Sequence, residues 1–370
     1  MNIISIFSGG GGLDLGLESV GFKTLFASDI DPYSCATLQK GKNIAAKKGL
    51  NYLKDSIILR EDINHLKGSF VLDVVGLKKG EVDLLAGGPP CQAFSVFGRR
   101  MGRSDPRGKL VYEYFRLLNE IQPESFLFEN VYGLMTVEKG EVFKHAVAKL
   151  QRPSPRLFYK ISVLRMDAVN FGVPQYRDRI FIIGSRKGNS VVEPDILTIP
   201  PDELPLANHL SYRTVGDAFR GLTKIGENGV SNHTGRDHSN RIIERYSEMA
   251  PGQRDDYTRI NKLNLKRPSF TIIVGSDKGG GKGHIHPIEP REVTPRESAR
   301  IQTFPDWWEF TGTVRHPIRQ IGNAVPPLLS FAVGNVVRQQ IFGKPSASIK
   351  SAVEMLSQQH LFPEWYKKGK

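Results

Sequence analysis

The chain is poor in cysteine, with only Cys35 and Cys91 in 370 residues. Two thiols so far apart exclude a disulfide framework or a four-cysteine zinc site, and a reducing cytosolic setting is the simplest reading. No apolar run is long enough to cross a bilayer. The opening Met1-Asn2-Ile3-Ile4-Ser5-Ile6-Phe7 lacks the basic flank and long apolar stretch of a secretory signal and reads as a core strand. Internal repeats and low-complexity tracts are also missing. Acidic residues are outnumbered, 38 Asp and Glu against 51 Lys and Arg, for a formal net charge of +13. Such an excess favours a polyanionic partner, because each phosphate neutralised releases condensed counterions. A merely basic soluble surface would give the same composition. Hydrophobic residues at 39% and charged residues at 24% are ordinary for a globular protein, and the length suggests two lobes.

What is present has a rhythm. Short apolar runs, Ile3 to Phe7, Thr24 to Ala27, Val82 to Ala86, Ser125 to Phe128 and Arg179 to Ile183, alternate with longer mixed stretches, the pattern of a doubly wound α/β sheet. Ligands of such sheets bind beyond the carboxyl ends of the strands. After Gly184 the chain turns irregular and rich in Pro, Gly, Asn and Arg up to Gly283, which reads as a second domain. Regularity returns with a helix opening at Pro295 and the apolar segment Val325 to Ile341.

Phe7-Ser8-Gly9-Gly10-Gly11-Gly12-Leu13-Asp14 follows the first strand, where glycines let a backbone approach a ligand closely. Asp14 falls where a dinucleotide fingerprint needs its third glycine, and a carboxylate beside a pyrophosphate would repel it, so a cofactor without phosphates is expected. Asp29 ends the second strand about 20 residues on, at ribose-binding spacing. Asp62 offers an acceptor for an adenine amino group. Alone, each acid is more often a helix cap or a solvated loop carboxylate; together with the glycine run they favour a nucleoside-bearing cofactor. The run Gly279-Gly280-Gly281-Lys282-Gly283 fails the phosphate-loop pattern, with Ser276 in place of the first glycine, and reads as a loop.

Gly87-Gly88-Pro89-Pro90-Cys91-Gln92 sets a cysteine on a rigid turn at a strand exit, where a nucleophile would be displayed. Cys35 has no such setting and reads as packing. Together with FSGGGGLDLG from Phe7, Asp29, FENV from Phe128, QYRDR from Gln175, REVTPRESARIQTFPD from Arg291 and QIGNAVPP from Gln320, this turn resembles the DNA (cytosine-5)-methyltransferase family, block after block in the family's order.

The resemblance implies a fold, an α/β, Rossmann-like, S-adenosylmethionine-dependent methyltransferase domain with a smaller irregular target recognition domain. The division expected is residues 1–188 completed by 314–370 for catalysis, with 189–313 for recognition and hinge. It implies that S-adenosylmethionine is the methyl donor. Cys91 would add to carbon 6 of a cytosine flipped out of double-stranded DNA, Glu129 would protonate or hydrogen-bond ring nitrogen 3, and Arg179 with Arg177 would hold the cytosine carbonyl. Without the family pattern Glu129 could be a helix cap and the arginines surface ion-pair members. The cofactor would meet Phe7, Gly9, Gly10, Gly12, Asp29, Ile30, Asp62, Ile63, Gly88 and Pro90, with Asn323 and Ala324 closing the pocket. Ile30 stands where some members place an aromatic. No metal is expected.

The basic, glycine-punctuated segment from Phe97 to Gly108 would close on DNA. Arg236, Arg241, Arg245, Arg254, Arg259, Lys262, Lys266 and Arg267 would supply phosphate or base contacts, and His233, His238, His284 and His286 would be loop or DNA-facing residues. The minimal size resembles prokaryotic enzymes that protect host DNA beside a restriction enzyme, acting in the cytoplasm as monomers. A relative that methylates transfer RNA would share every catalytic block and differ between Gly184 and Arg291. A non-catalytic DNA-binding protein on the same scaffold is the other alternative.

Overall fold

The computed structural model describes residues 1–90, 106–203, 209–225, 227, 229–272 and 283–367. Seven strands form its main sheet: β1 (Asn2–Ile6), β2 (Lys23–Asp29), β3 (Ile57–Arg60), β4 (Leu84–Gly87), β5 (Ser125–Val131), β6 (Lys160–Asp167) and β7 (Asp178–Ser185). Their order across the sheet is β3-β2-β1-β4-β5-β7-β6. The first five are parallel, and β7 runs antiparallel to both β5 and β6. The chain steps outward from β1 through β2 to β3, then crosses to β4 on β1's other side. This reversal opens a crevice beyond the carboxyl ends of β1 and β4.

Apolar residues of the central strands alternate between two faces, as a period of two requires. Ile3, Ala27, Leu84, Ala86, Leu127, Phe181 and Ile183 enter one core, and Ile4, Ile6, Phe26, Leu85, Phe126, Phe128 and Ile182 enter the other. Helices cover both faces, which is why these strands read as continuous apolar runs. On the first face lie α1 (Gly12–Ser19) and a late helix; on the second lie α3 (Gly68–Val75), α4 (Pro106–Ile121) and α5 (Glu141–Gln151), while α2 (Pro32–Lys47) follows β2. The sequence pattern missed β3 and β6. Both lie at sheet edges and carry mixed, half-exposed side chains, so neither shows an apolar run.

Beyond β7 regular structure is sparse: a two-residue pairing of β8 (Thr198–Ile199) with β9 (Leu210–Ser211), then α6 (Val215–Phe219) and α7 (Asn240–Glu248). The expected opening at Pro295 becomes α8 (Pro295–Ile301), with a reciprocal cap in which Thr294 accepts from the Glu297 N–H and Glu297 accepts from that of Thr294. It is followed by α9 (Arg315–Asn323), α10 (Pro327–Gln340) and α11 (Ile349–Met355). The apolar segment from Val325 therefore folds as α10, which lies directly on α1, where a Cβ on Gly16 would stand 2.4 Å from the Pro327 carbonyl. Among the described residues no helix is long and apolar enough to cross a membrane.

Candidate active site

The turn after β1 starts with backbone strain: Phe7, which is not glycine, has φ +56°. Such geometry persists only where surrounding structure holds it, and it is concentrated at ligand sites. Asp29, at the carboxyl end of β2, holds the turn. One oxygen accepts from the Gly9 N–H at 2.8 Å and the other from the Asp31 N–H at 2.9 Å. Burial pushes its carboxyl above the usual range, partly offset by those two bonds. Each oxygen keeps a second lone pair for a ligand hydroxyl.

The glycines of this turn divide by role. Gly9 is required by its φ of +53°, a Cβ there reaching only the Phe7 carbonyl at 4.0 Å among the described residues, whereas Gly10, Gly11 and Gly12 are pressed against distant parts of the chain. A Cβ on Gly12 would stand 2.1 Å from the Val325 carbonyl, one on Gly10 3.3 Å from the Gln320 carbonyl, and one on Gly11 2.7 Å from the Trp308 ring. Trp308 Nε1 also donates to the Gly10 carbonyl at 3.0 Å. Asp14 corrects an expectation. It does not face the ligand side, because α1 turns it inward; it is 1% exposed, among the described residues no hydrogen bond of ordinary geometry reaches either oxygen, and burial pushes its carboxyl up to about 6.

Around the turn, Ile30 is 59% exposed directly after Asp29. Asp62 Oδ1 accepts from the backbone and side-chain nitrogens of Asn64, and Ile63 packs into the core. Asn323 is exposed and Ala324 buried at the end of α9, while Pro90 is exposed. Cys35 is packing: its thiol is buried beside the carbonyls of Asp29 and Leu59, and burial pushes it up to about 11.

Cys91 and the segment from Phe97 through Asp105 lie outside the described residues, as do Gly279 to Lys282. The approach to Cys91 is described. Ile6 and Gly87 pair in register, so the glycine turn and the Gly88-Pro89-Pro90 turn leave the sheet side by side. A Cβ on Gly88 would stand 2.5 Å from Glu129 Oε2, so this glycine makes room for the carboxylate. Asn130 Nδ2 donates to the Pro89 carbonyl at 2.9 Å, a tie that the FENV block held but that went unread. A buried amide at the end of an apolar strand was the available signal.

Glu129 and Arg179 meet across β5 and β7, with Arg179 Nε 2.9 Å from Glu129 Oε1 and both side chains nearly buried. Burial pushes the Glu129 carboxyl above its usual range; Arg179 and Arg177 pull it back in part. Arg177 is also buried, but its Nη2 donates to the carbonyls of Gly322 at 2.7 Å and Ala324 at 2.9 Å. The preceding Gln175 is buried as well and accepts from the Ile272 N–H at 3.0 Å.

In the irregular region three histidines are structural rather than DNA-facing. His233 bonds Thr294 Oγ1 and the Thr223 carbonyl, His284 the Thr271 carbonyl, and His286 Nδ1 accepts from the Glu289 N–H while its ring stacks on Phe219. His238 accepts from the Glu292 N–H. Among the expected DNA contacts Lys262 is corrected too: it is 5% exposed and donates to the Tyr246 carbonyl at 2.9 Å. Arg236 and Arg245 pair with Glu292 and Asp255, while Arg241, Arg254, Arg259, Lys266 and Arg267 are exposed.

A doubly wound sheet that gathers a glycine turn, Asp29 and a carboxylate–arginine pair at one crevice has the build of an α/β enzyme. The chain belongs to the C-5 cytosine-specific DNA methylase family, whose model matches residues 1–339. It is 32% identical to the type II methyltransferase M.XorII of Xanthomonas oryzae, over 92% of this chain and 85% of that one. To M.PspPI of Psychrobacter it is 34% identical, over 93% and 80%. Among solved structures, a prophage-encoded DNA modification methyltransferase of Escherichia coli shares 27% identity with a TM-score of 0.71, covering 93% of this chain and all of that one. The Schizosaccharomyces pombe Dnmt2 methyltransferase, at 18% identity and TM-score 0.54, shares the fold. The protein is thus a DNA cytosine-C5 methylase, and DNA is its substrate.

Proposed function

We propose that this enzyme methylates cytosine within a specific sequence of double-stranded DNA, with S-adenosylmethionine as donor and Cys91 as nucleophile, as the modification partner of a restriction enzyme. The observation that carries the catalytic reading is the buried Glu129–Arg179 pair at the strand exit that leads to Cys91.

The residues at the carboxyl ends of β1, β2 and β3 fit a nucleoside donor. Gly9 gives the turn its positive φ, Asp29 holds the turn while keeping lone pairs for ribose hydroxyls, and Ile30 presents an apolar surface for adenine. Phe7, Gly9, Gly10, Gly12, Asp29, Ile30, Asp62, Ile63, Gly88, Pro90, Asn323 and Ala324 frame that site. S-Adenosylmethionine supplies an electrophilic methyl group.

Cytosine carbon 5 is a poor nucleophile until a thiolate adds to carbon 6, which is the work of Cys91. Glu129 holds a proton for ring nitrogen 3, and burial favours its protonated form. Arg179 braces Glu129 and offers charge to the base carbonyl. The carbon-5 proton then passes to water, its bonding pair restores the carbon 5–carbon 6 double bond and expels the Cys91 thiolate, and nitrogen 3 returns its proton to Glu129. Residues 1–188 with 314–370 form the catalytic lobe and 189–313 the recognition lobe, acting as a monomer on DNA in the host cytoplasm.

The test is transfer of labelled methyl from S-adenosylmethionine to duplex DNA or to transfer RNA. Label in DNA that disappears with Cys91→Ser supports the reading. Label confined to transfer RNA, or undiminished by Cys91→Ser, overturns it.

A further inference from the structure

The block Gln175-Tyr176-Arg177-Asp178-Arg179 runs extended into β7, so alternate side chains share a face. Burial follows that alternation: Gln175, Arg177 and Arg179 are buried, and Tyr176 is 44% exposed. Each buried member grips a different part of the molecule. Gln175 takes the Ile272 N–H from the irregular region, Arg177 takes two carbonyls near the end of α9, and Arg179 takes Glu129.

Resting on the donor reading above, we infer that Arg177 is a positioning residue that seats the segment 320–325 on the glycine turn, acting on cofactor binding rather than on cytosine. One nitrogen, Nη2, serves both Gly322 and Ala324 and so fixes the exit of α9. The carbonyls of Gln320 and Val325, in the same segment, are those that Gly10 and Gly12 are bare to admit. The segment is clamped between the guanidinium and the turn, with Asn323 presented outward between the two tethered carbonyls. Gln302 Nε2 adds a third tether at the Ile321 carbonyl, 2.9 Å away.

Burying a cation for this purpose is expensive. Among the described residues Arg177 Nε and Nη1 have no hydrogen-bond partner, and burial together with the neighbouring Arg179 disfavours its cationic form. A neutral side chain would avoid that cost and lose both tethers. Lysine carries three donors on one nitrogen, enough for both carbonyls.

The experiment compares Arg177→Met, Arg177→Lys and Arg179→Met in the full chain. It measures equilibrium binding of S-adenosylhomocysteine, together with cofactor KM and kcat on duplex DNA. Loss of two charge-assisted bonds in Arg177→Met is expected to weaken S-adenosylhomocysteine binding by about 10- to 100-fold. Arg177→Lys recovers much of that loss. Arg179→Met does the reverse, losing kcat while retaining affinity. If Arg177→Met does not fold, the residual loss in Arg177→Lys decides: its appearance as a raised cofactor KM with kcat near that of the parent supports the positioning role. A fall in kcat with unchanged S-adenosylhomocysteine affinity in either Arg177 variant overturns it and returns the residue to the base. If the parent protein itself takes up no S-adenosylhomocysteine, the donor reading fails and the inference falls with it.

Discussion

Arg179 Nε lies 2.9 Å from Glu129 Oε1, and a Cβ on Gly88 would stand 2.5 Å from the other oxygen of the same carboxylate. One oxygen is thus held by a cation and the other faces the turn that leads to the nucleophile. Burial raises the Glu129 pKa, so its proton is retained to higher pH than for a free glutamate. If protonated Glu129 is required, turnover declines as pH rises through that raised value. Glu129→Gln keeps an oxygen for Arg179 but cannot deliver a proton. Methyl transfer is expected to fall by about 10²- to 10⁴-fold, and the descending limb of the pH profile to vanish. Initial rates across pH for parent and variant decide this, and an unchanged profile would remove Glu129 from proton transfer.

Asp14 predicts a stability effect away from the chemistry. Burial raises its carboxyl from 3.8 to about 6, so the folded state holds the proton more tightly than the unfolded chain. Its contribution is fully present below the unfolded value and is lost as pH rises through about 6. The shift corresponds to roughly 2–3 kcal/mol. Asp14→Asn cannot ionise, so it should gain on the parent by that amount between pH 4 and pH 7.5, as read by urea unfolding at each pH. A gap that is equal at the two pH values would show that Asp14 titrates as an ordinary carboxylate.

The glycine turn makes a steric prediction. In Gly12→Ala the new methyl would stand 2.1 Å from the Val325 carbonyl, and neither backbone yields cheaply. Overpacking of this kind costs about 1–3 kcal/mol, occasionally more. Gly133→Ala meets nothing within 4 Å among the described residues and should stay within about 0.5 kcal/mol of the parent. Thermal melting of both variants, with and without S-adenosylhomocysteine, tests this; Gly12→Ala melting like the parent would mean that segment 320–325 is not seated on the turn.

These contrasts show where the sequence was readable. Ile3, Leu84 and Phe126 sit in strands covered on both faces, so their apolar runs announced the sheet. β3 and β6, at the edges, had no such run. The glycine turn was plain, and the family resemblance already brought Asn323 and Ala324 to it, but that Gly12 is bare to admit the Val325 carbonyl is a contact no local pattern reports. Asp14 and His233 had polar identities that suggested a ligand or DNA. Their burial depends on which way α1 turns and on where Thr294 comes to rest, both tertiary facts. The catalytic block FENV was legible by pattern, while its Asn130 tether to Pro89 required the adjacency of β4 and β5.

Lys262 and Arg241 were both expected to meet DNA, and the structure separates them. Lys262 is buried with its ammonium on the Tyr246 carbonyl, whereas Arg241 is exposed in the first turn of α7. A phosphate contact adds about 0.9 to the slope of log affinity against log salt, because one counterion is released per phosphate neutralised. Arg241→Ala should therefore lower that slope by about 0.9 if this face meets the duplex, with a uniform loss across DNA sequences. Lys262→Met should leave the slope unchanged and act instead on melting temperature, since the Tyr246 carbonyl loses its donor. Duplex binding titrated at several salt concentrations, with melting curves on the same preparations, separates the two effects. A reduced salt slope in Lys262→Met would mean that its ammonium leaves the Tyr246 carbonyl to reach phosphate when DNA binds.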